Sequence, residues 1–145
     1  MKVEHIGIAV KSLQQGNELF ERLLGKGYYK IEEVLSEGVK TSFFQCGESK
    51  LELLEAQNPD SVIAKFIDKK GEGIHHVAFE VEDIRKEMNR LSVAGFHILN
   101  EEPKKGADNK LVCFIHPKTS NGVLVELCQS IRTGELPVTD GASFT

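Results

Sequence analysis

Hydrophobic residues alternate with polar or small ones in some stretches of this chain, which predicts strands. In others they recur every three to four positions, which predicts helices. In Val3–Val10, Ile6, Ile8 and Val10 point one way, and His5, Gly7 and Ala9 the other. That pattern predicts a strand with one packed face and one face of small residues. Ser12 opens a helix, with Gln15 at capping-box spacing. Leu13, Phe20, Leu23 and Leu24 form its expected buried stripe, and Gly25 its C-terminal stop. Tyr28–Leu35 and Val39–Cys46 read as strands joined near Gly38, and Gly47, Glu48 and Ser49 turn the chain into a strand Lys50–Glu55. The order is β-α-β-β-β.

Residues 57–73 connect this stretch to a second one, with Asp60 as the expected cap of a short helix ending near Lys69 and Gly71 and Gly73 releasing the chain. The order then repeats. Ile74–Val81 reads as a strand, Asp83 caps a helix to about Ala94, and Gly95 ends it. Phe96–Leu99, Leu111–His116 and Val123–Gln129 read as strands, and Glu101–Asn109 as a polar loop. The expected organisation is one domain over residues 1–129, made of module one (1–56), a linker (57–73) and module two (74–129). A polar tail follows over 130–145.

The two modules also match in detail. KVEHIGIAV at 2–10 and GIHHVAFEV at 73–81 share a histidine ahead of small and apolar residues. KLELL at 50–54 and GVLVEL at 122–127 share a glutamate inside an apolar run. Repeats this short cannot close a core alone, so they are expected to pair. The fold class expected is α+β, two βαβββ modules paired into a curved mixed sheet that forms a metal-binding cup.

Bulk composition narrows the function without naming it. The chain has 145 residues, 40% hydrophobic and 28% charged, ordinary values for one globular domain. A net charge of −4 and no Lys/Arg cluster argue against nucleic acid or an anionic membrane as partner. No N-terminal apolar segment has the basic flank of a secretory signal, and no run approaches the roughly 20 apolar residues of a membrane span. Cys46, Cys113 and Cys128 are odd in number and lack CxxC spacing. They are expected to be small core residues in a cytoplasmic, reducing setting.

Phase turns the repeat into a candidate site. His5 and His76 lie on the small-residue faces of their strands, and Glu52 and Glu126 lie opposite Leu51 and Leu53 and opposite Val125 and Leu127. A carboxylate inside a sheet is costly unless it is paired or holds a metal. Two imidazoles and two carboxylates suit a divalent ion with positions left for substrate, and Co, Mn, Zn, Ni and Mg all remain open. His75 points away from His76 and reads as structural. His97 and His116 have no counterpart in module one and read the same way.

The stretches HIGIAV (5–10), ESKLELLE (48–55), GEGIHHVAFEV (71–81), NEEPKKGA (100–107) and IHPKTSNGVLVEL (115–127) resemble the vicinal oxygen chelate (glyoxalase/bleomycin resistance/dioxygenase) superfamily. Within it they resemble the methylmalonyl-CoA epimerase family. The resemblance implies metal ligands at His5, Glu52, His76 and Glu126, an acyl-CoA substrate and a homodimer. The implied reaction is inversion of the α-carbon through an enolate, with the ion chelating a thioester and a carboxylate oxygen. Two departures stand out. Glu52 occupies a position where this family often has glutamine. Thr41 occupies one where some members carry a glutamate proposed as acid/base, and threonine cannot abstract a proton at neutral pH. Thr41 faces substrate on this reading. Glu126 is the first candidate base, with Glu101 or Glu102 as partner if their loop folds over the cup. Lys104, Lys105 and Lys118 are candidates for the CoA phosphates. The rival activities are a lactoylglutathione lyase, a glyoxalase-type isomerase with similar ligands, and a non-haem iron dioxygenase, which usually uses two His and one carboxylate. A rival of another class is a non-catalytic small-molecule-binding protein of the same fold.

Overall fold

A computed structural model describes residues 1–131; the remainder of the expected tail lies outside the described residues. The chain is α+β and divides into two compact units. One is His5–His75; the other comprises Met1–Glu4 and the residues from His76 onward.

In the first unit, strand β1 (Lys2–Ala9, entering the unit at His5) is followed by helix α1 (Leu13–Leu24) and strands β2 (Lys30–Val34), β3 (Val39–Cys46) and β4 (Ser49–Ala56). Helix α2 (Val62–Lys70) comes next. The strands are ordered β2-β3-β4-β1, with β1 parallel to β4 and the other pairs antiparallel. Ser12 caps α1, its hydroxyl accepting from Gln15 N at 3.1 Å, and Gly25 ends the helix in the left-handed region at φ 75°. Both faces of the sheet are packed. Val10, Leu13, Phe44 and Leu53, with Ile8, Phe20 and Leu51, form the core under α1. Ala9, Val39, Leu54 and Ile63, with Phe66 and Ile67, form a second core under α2 on the opposite face.

Three expectations change here. Leu23 is 69% exposed and Leu24 is also exposed. The contact stripe of α1 keeps Leu13 and Phe20 and adds the buried Gly16, where an added Cβ would lie 3.2 Å from Leu53 and 3.3 Å from Val10. A glycine was invisible as a core residue because it adds nothing to a hydrophobic pattern. The cap of α2 is Ser61, accepting from Ala64 N at 3.1 Å, not Asp60. The small-residue face of β1 is itself buried, since α2 covers its far end.

In the second unit, β5 (Gly73–Glu80, entering at His76) is followed by α3 (Ile84–Val93), β6 (Lys104–Lys105), β7 (Lys110–Ile115) and β8 (Val125–Ser130). The order is β5-β8-β7-β6, with β5 parallel to β8. Asp83 caps α3. Val81, Ile84, Met88, Leu91, Leu111, Cys113, Ile115 and Leu127 form the core beneath it. The expected strand Phe96–Leu99 reduces to one bridge, Ile98 to Ile115. The extra strand lies instead inside the stretch read as a loop, at Lys104–Lys105, where two lysines give no apolar alternation to read. The βαβββ order survives in both units.

The repeat extends to helix capping. Leu13 N donates to the Glu55 carboxylate at 2.8 Å, and Ile84 N donates to the Gln129 side-chain oxygen at 2.8 Å. Each acceptor sits three residues after the glutamate of its unit, so the same strand that carries the glutamate also anchors the helix start.

Candidate metal centre

Each unit holds one histidine against one glutamate. In the first, His5 lies in β1 and Glu52 in β4, with Gly7 opposite Glu52 in the parallel register. His5 Nδ1 is 3.0 Å from Glu52 Oε2. In the second, Glu126 of β8 is flanked by Ala78 of β5 and Phe114 of β7, and His76 Nε2 is 3.4 Å from Glu126 Oε1. All four side chains are buried: His5 and Glu52 are 4% exposed, His76 5% and Glu126 7%.

These separations can be tested against an ion. Two donor atoms each about 2.1 Å from one ion lie about 3.0 Å apart at a right angle and about 3.4 Å apart at a tetrahedral angle. Both pairs fall on that range. Buried imidazole and carboxylate are also the donor chemistry a borderline divalent ion takes. The described residues thus include a His/Glu group that could bind a metal ion.

Around the first pair, Phe43 lies opposite Glu52 and Thr41 opposite Leu54, so Thr41, Phe43 and Glu52 share a face. Thr41 is buried, and its hydroxyl has no hydrogen-bond partner among the described residues. An orphaned buried hydroxyl costs on the order of 1–3 kcal/mol, a cost that a water or ligand meeting it would relieve.

Around the second pair, Phe114 is the residue that periodicity did not single out. Its ring meets the His76 ring edge-on, with centroids 6.1 Å apart. The ammonium of Lys104 lies 5.9 Å from the centroid of the same ring. Phenylalanine in an apolar strand looks like any core residue in sequence; only the cross-strand register assigns it to the Glu126 face. Lys104 and Lys105 are separated by the same register. Lys104 stands opposite Val112 on that face, and Lys105 opposite Leu111 on the α3 side. Glu101 and Glu102 are exposed and line a groove beside α3, and Glu102 lies 3.5 Å from Arg85. The structure does not bring either glutamate to the His76–Glu126 pair. Lys118 is exposed, in a short 3₁₀ turn capped by His116.

The other histidines are placed by packing. His75 meets Phe66 edge-on at 4.9 Å, and burial, with Lys70 nearby, pushes its pKa down to about 4, so the ring is neutral at pH 7. His97 and His116 stack in parallel, with centroids 5.4 Å apart.

The chain matches the glyoxalase/bleomycin resistance protein/dioxygenase superfamily over residues 4–114. It belongs to that superfamily. It is 39% identical to the ethylmalonyl-CoA/methylmalonyl-CoA epimerase of Cereibacter sphaeroides, over 88% of this chain and 97% of that protein. Its fold matches the crystal structure of methylmalonyl-CoA epimerase from Mycobacterium tuberculosis with a TM-score of 0.86 and 31% identity, covering 91% of this chain and 89% of that one. A variant of the Streptomyces coelicolor methylmalonyl-CoA epimerase, solved with 2-nitronate-propionyl-CoA, matches with a TM-score of 0.85 and 31% identity, over 91% of this chain and 99% of that one.

Proposed function

We propose that this isomerase-class enzyme epimerises methylmalonyl-CoA, inverting its α-carbon through an enolate. The observation that carries the reading is the duplicated buried His–Glu pair, 3.0 Å and 3.4 Å across, on a fold shared with methylmalonyl-CoA epimerases. His5, Glu52, His76 and Glu126 would be the ligands of one divalent cation. When bound, the cation supplies Lewis acidity toward the substrate oxygens and a template for their approach.

The protein side of the chemistry divides among few residues. Glu126 takes the α-proton from one face of the α-carbon, its carboxylate held in place by the backbone of β8, and delivery of a proton to the opposite face of the enolate completes the inversion. Burial of both pairs keeps bulk water from the enolate and strengthens every charge interaction in the site. The Thr41 hydroxyl, without a protein partner among the described residues, donates a hydrogen bond to a substrate oxygen. Lys105 and Lys118 meet CoA phosphates. The working form is a homodimer in a reducing, cytoplasmic setting, in keeping with three cysteines that form no disulfide.

The test is an epimerase assay in deuterated water with cobalt, manganese, zinc, nickel and magnesium in turn. Wild type is expected to take up deuterium at the α-carbon, and Glu126→Gln to lose that exchange by two orders of magnitude or more. Undiminished exchange in the variant would remove Glu126 from the chemistry. Conversion of the methylglyoxal–glutathione adduct, without α-carbon exchange, would favour a lyase instead.

A further inference from the structure

We propose that Lys104 is the residue that selects a carboxylated acyl group, by pairing with the free carboxylate of the substrate rather than with the CoA phosphates. This rests on the epimerase reading and deepens it. The geometry is internal to the second unit. β6 pairs antiparallel with β7, so Lys104 shares a face with Val112, and Val112 packs with Ala78 and Cys128. That face also carries Phe114 and Glu126, which lie opposite each other across β7 and β8. Lys104, Phe114, His76 and Glu126 therefore follow one another across a single surface. The ammonium is 5.9 Å from the Phe114 centroid, that ring is edge-on to His76 at 6.1 Å, and His76 is 3.4 Å from Glu126. Gly106 keeps β6 close. An added Cβ there would lie 3.1 Å from both Val112 methyl groups, so the Val112 side chain would have to give by a few tenths of an ångström.

Reach decides between the two anions of an acyl-CoA. The phosphates are separated from the thioester by the whole pantetheine arm, whereas Lys104 is one aromatic ring away from a proposed metal ligand. A cation in that place serves the acyl end. Charge balance points the same way. A divalent cation held by these residues would already be neutralised by the Glu52 and Glu126 carboxylates. The substrate then brings one negative charge in its carboxylate and develops a second at the thioester oxygen as the proton leaves. Half-buried Lys104, its ammonium 5.9 Å from the Phe114 ring centroid, brings a positive charge to that face to offset this one.

The experiment compares malonyl-CoA with acetyl-CoA, which differ by the carboxylate alone. Dissociation constants are measured by calorimetry on the metal-loaded protein, beside α-carbon exchange. Wild type is expected to prefer malonyl-CoA. Lys104→Met should lower that preference on the order of tenfold to a hundredfold while leaving acetyl-CoA affinity and metal content unchanged. Lys104→Arg should restore most of it. Equal weakening toward both ligands would assign Lys104 to the phosphates and overturn the proposal. So would an unchanged preference in a variant whose wild type exchanges the α-proton. If wild type neither exchanges that proton nor prefers malonyl-CoA, the epimerase reading itself falls, and this assignment with it.

Discussion

Thr41 and the buried cysteines show how much one side chain's surroundings matter. The Thr41 hydroxyl is buried without a partner among the described residues, so it destabilises the fold unless a ligand meets it. Thr41→Val keeps the shape and removes the polar atom. It should raise thermal stability by about 1 kcal/mol while lowering kcat/KM, two changes of opposite sign read by thermal denaturation and by steady-state kinetics. Lowered activity together with lowered stability would assign Thr41 to packing alone. Burial, followed by the Glu126 charge, pushes the Cys113 thiol up to about 12, and burial also raises that of Cys128. A raised thiol pKa favours the native state while the thiol stays protonated in both states. That stability is complete below pH 9 and is lost as pH rises from about 9 toward 12, because the unfolded chain gives up the proton first. Denaturant midpoints should therefore fall over that window, and fall less in Cys113→Val. At pH 8, a thiol reagent should label half-buried Cys46 in the folded protein, and Cys113 and Cys128 only after unfolding. The sequence reads all three as small core residues; Cys113 and Cys128 are buried, but Cys46, the last residue of β3, is only half-buried. Which of them is buried was set by strand register.

At the level of elements, periodicity locates α1, α2 and α3 and six of the eight strands among the described residues to within a few positions. It placed β2 with wider bounds and misplaced β6. β6 was missed because a two-residue strand offers no alternation, and the apolar Phe96–Leu99 was taken for it. Phe96 and Ile98 are instead apolar because they pack under α3. Capping chemistry was read correctly at Ser12 and Asp83, whose side chains reach a backbone N–H three residues on. At α2, adjacent Asp60 and Ser61 competed, and only the backbone path shows that Ser61 turns inward to Ala64 N. Ser61→Ala should cost about 1 kcal/mol and Asp60→Ala less than about 0.5 kcal/mol, measured as urea midpoints at constant m. The reverse ranking would return the cap to Asp60.

For the whole molecule, the proposed single ion makes a stoichiometric prediction. Purified protein should bind one divalent cation per chain by elemental analysis, and His5→Ala and His76→Ala should each abolish it, although the two residues belong to different units. At a free metal concentration a hundredfold above its Kd, the ion should add about 2.7 kcal/mol to stability and raise the melting temperature by about 5–10 °C. Two ions per chain, or full binding in either variant, would mean that each His–Glu pair acts alone. The duplicated βαβββ order, the capping residues of two helices, and the identity and phase of the His–Glu pairs are legible in the order of residues alone. Such features follow from local periodicity and from one residue's choice of face. The folded chain alone reveals that Phe114 and Lys104 stand on the Glu126 face, that Glu102 turns to Arg85, and that Thr41 is left without a partner among the described residues. Those outcomes depend on which strand pairs with which and in what register, a property of residues distant in the chain that no local pattern carries.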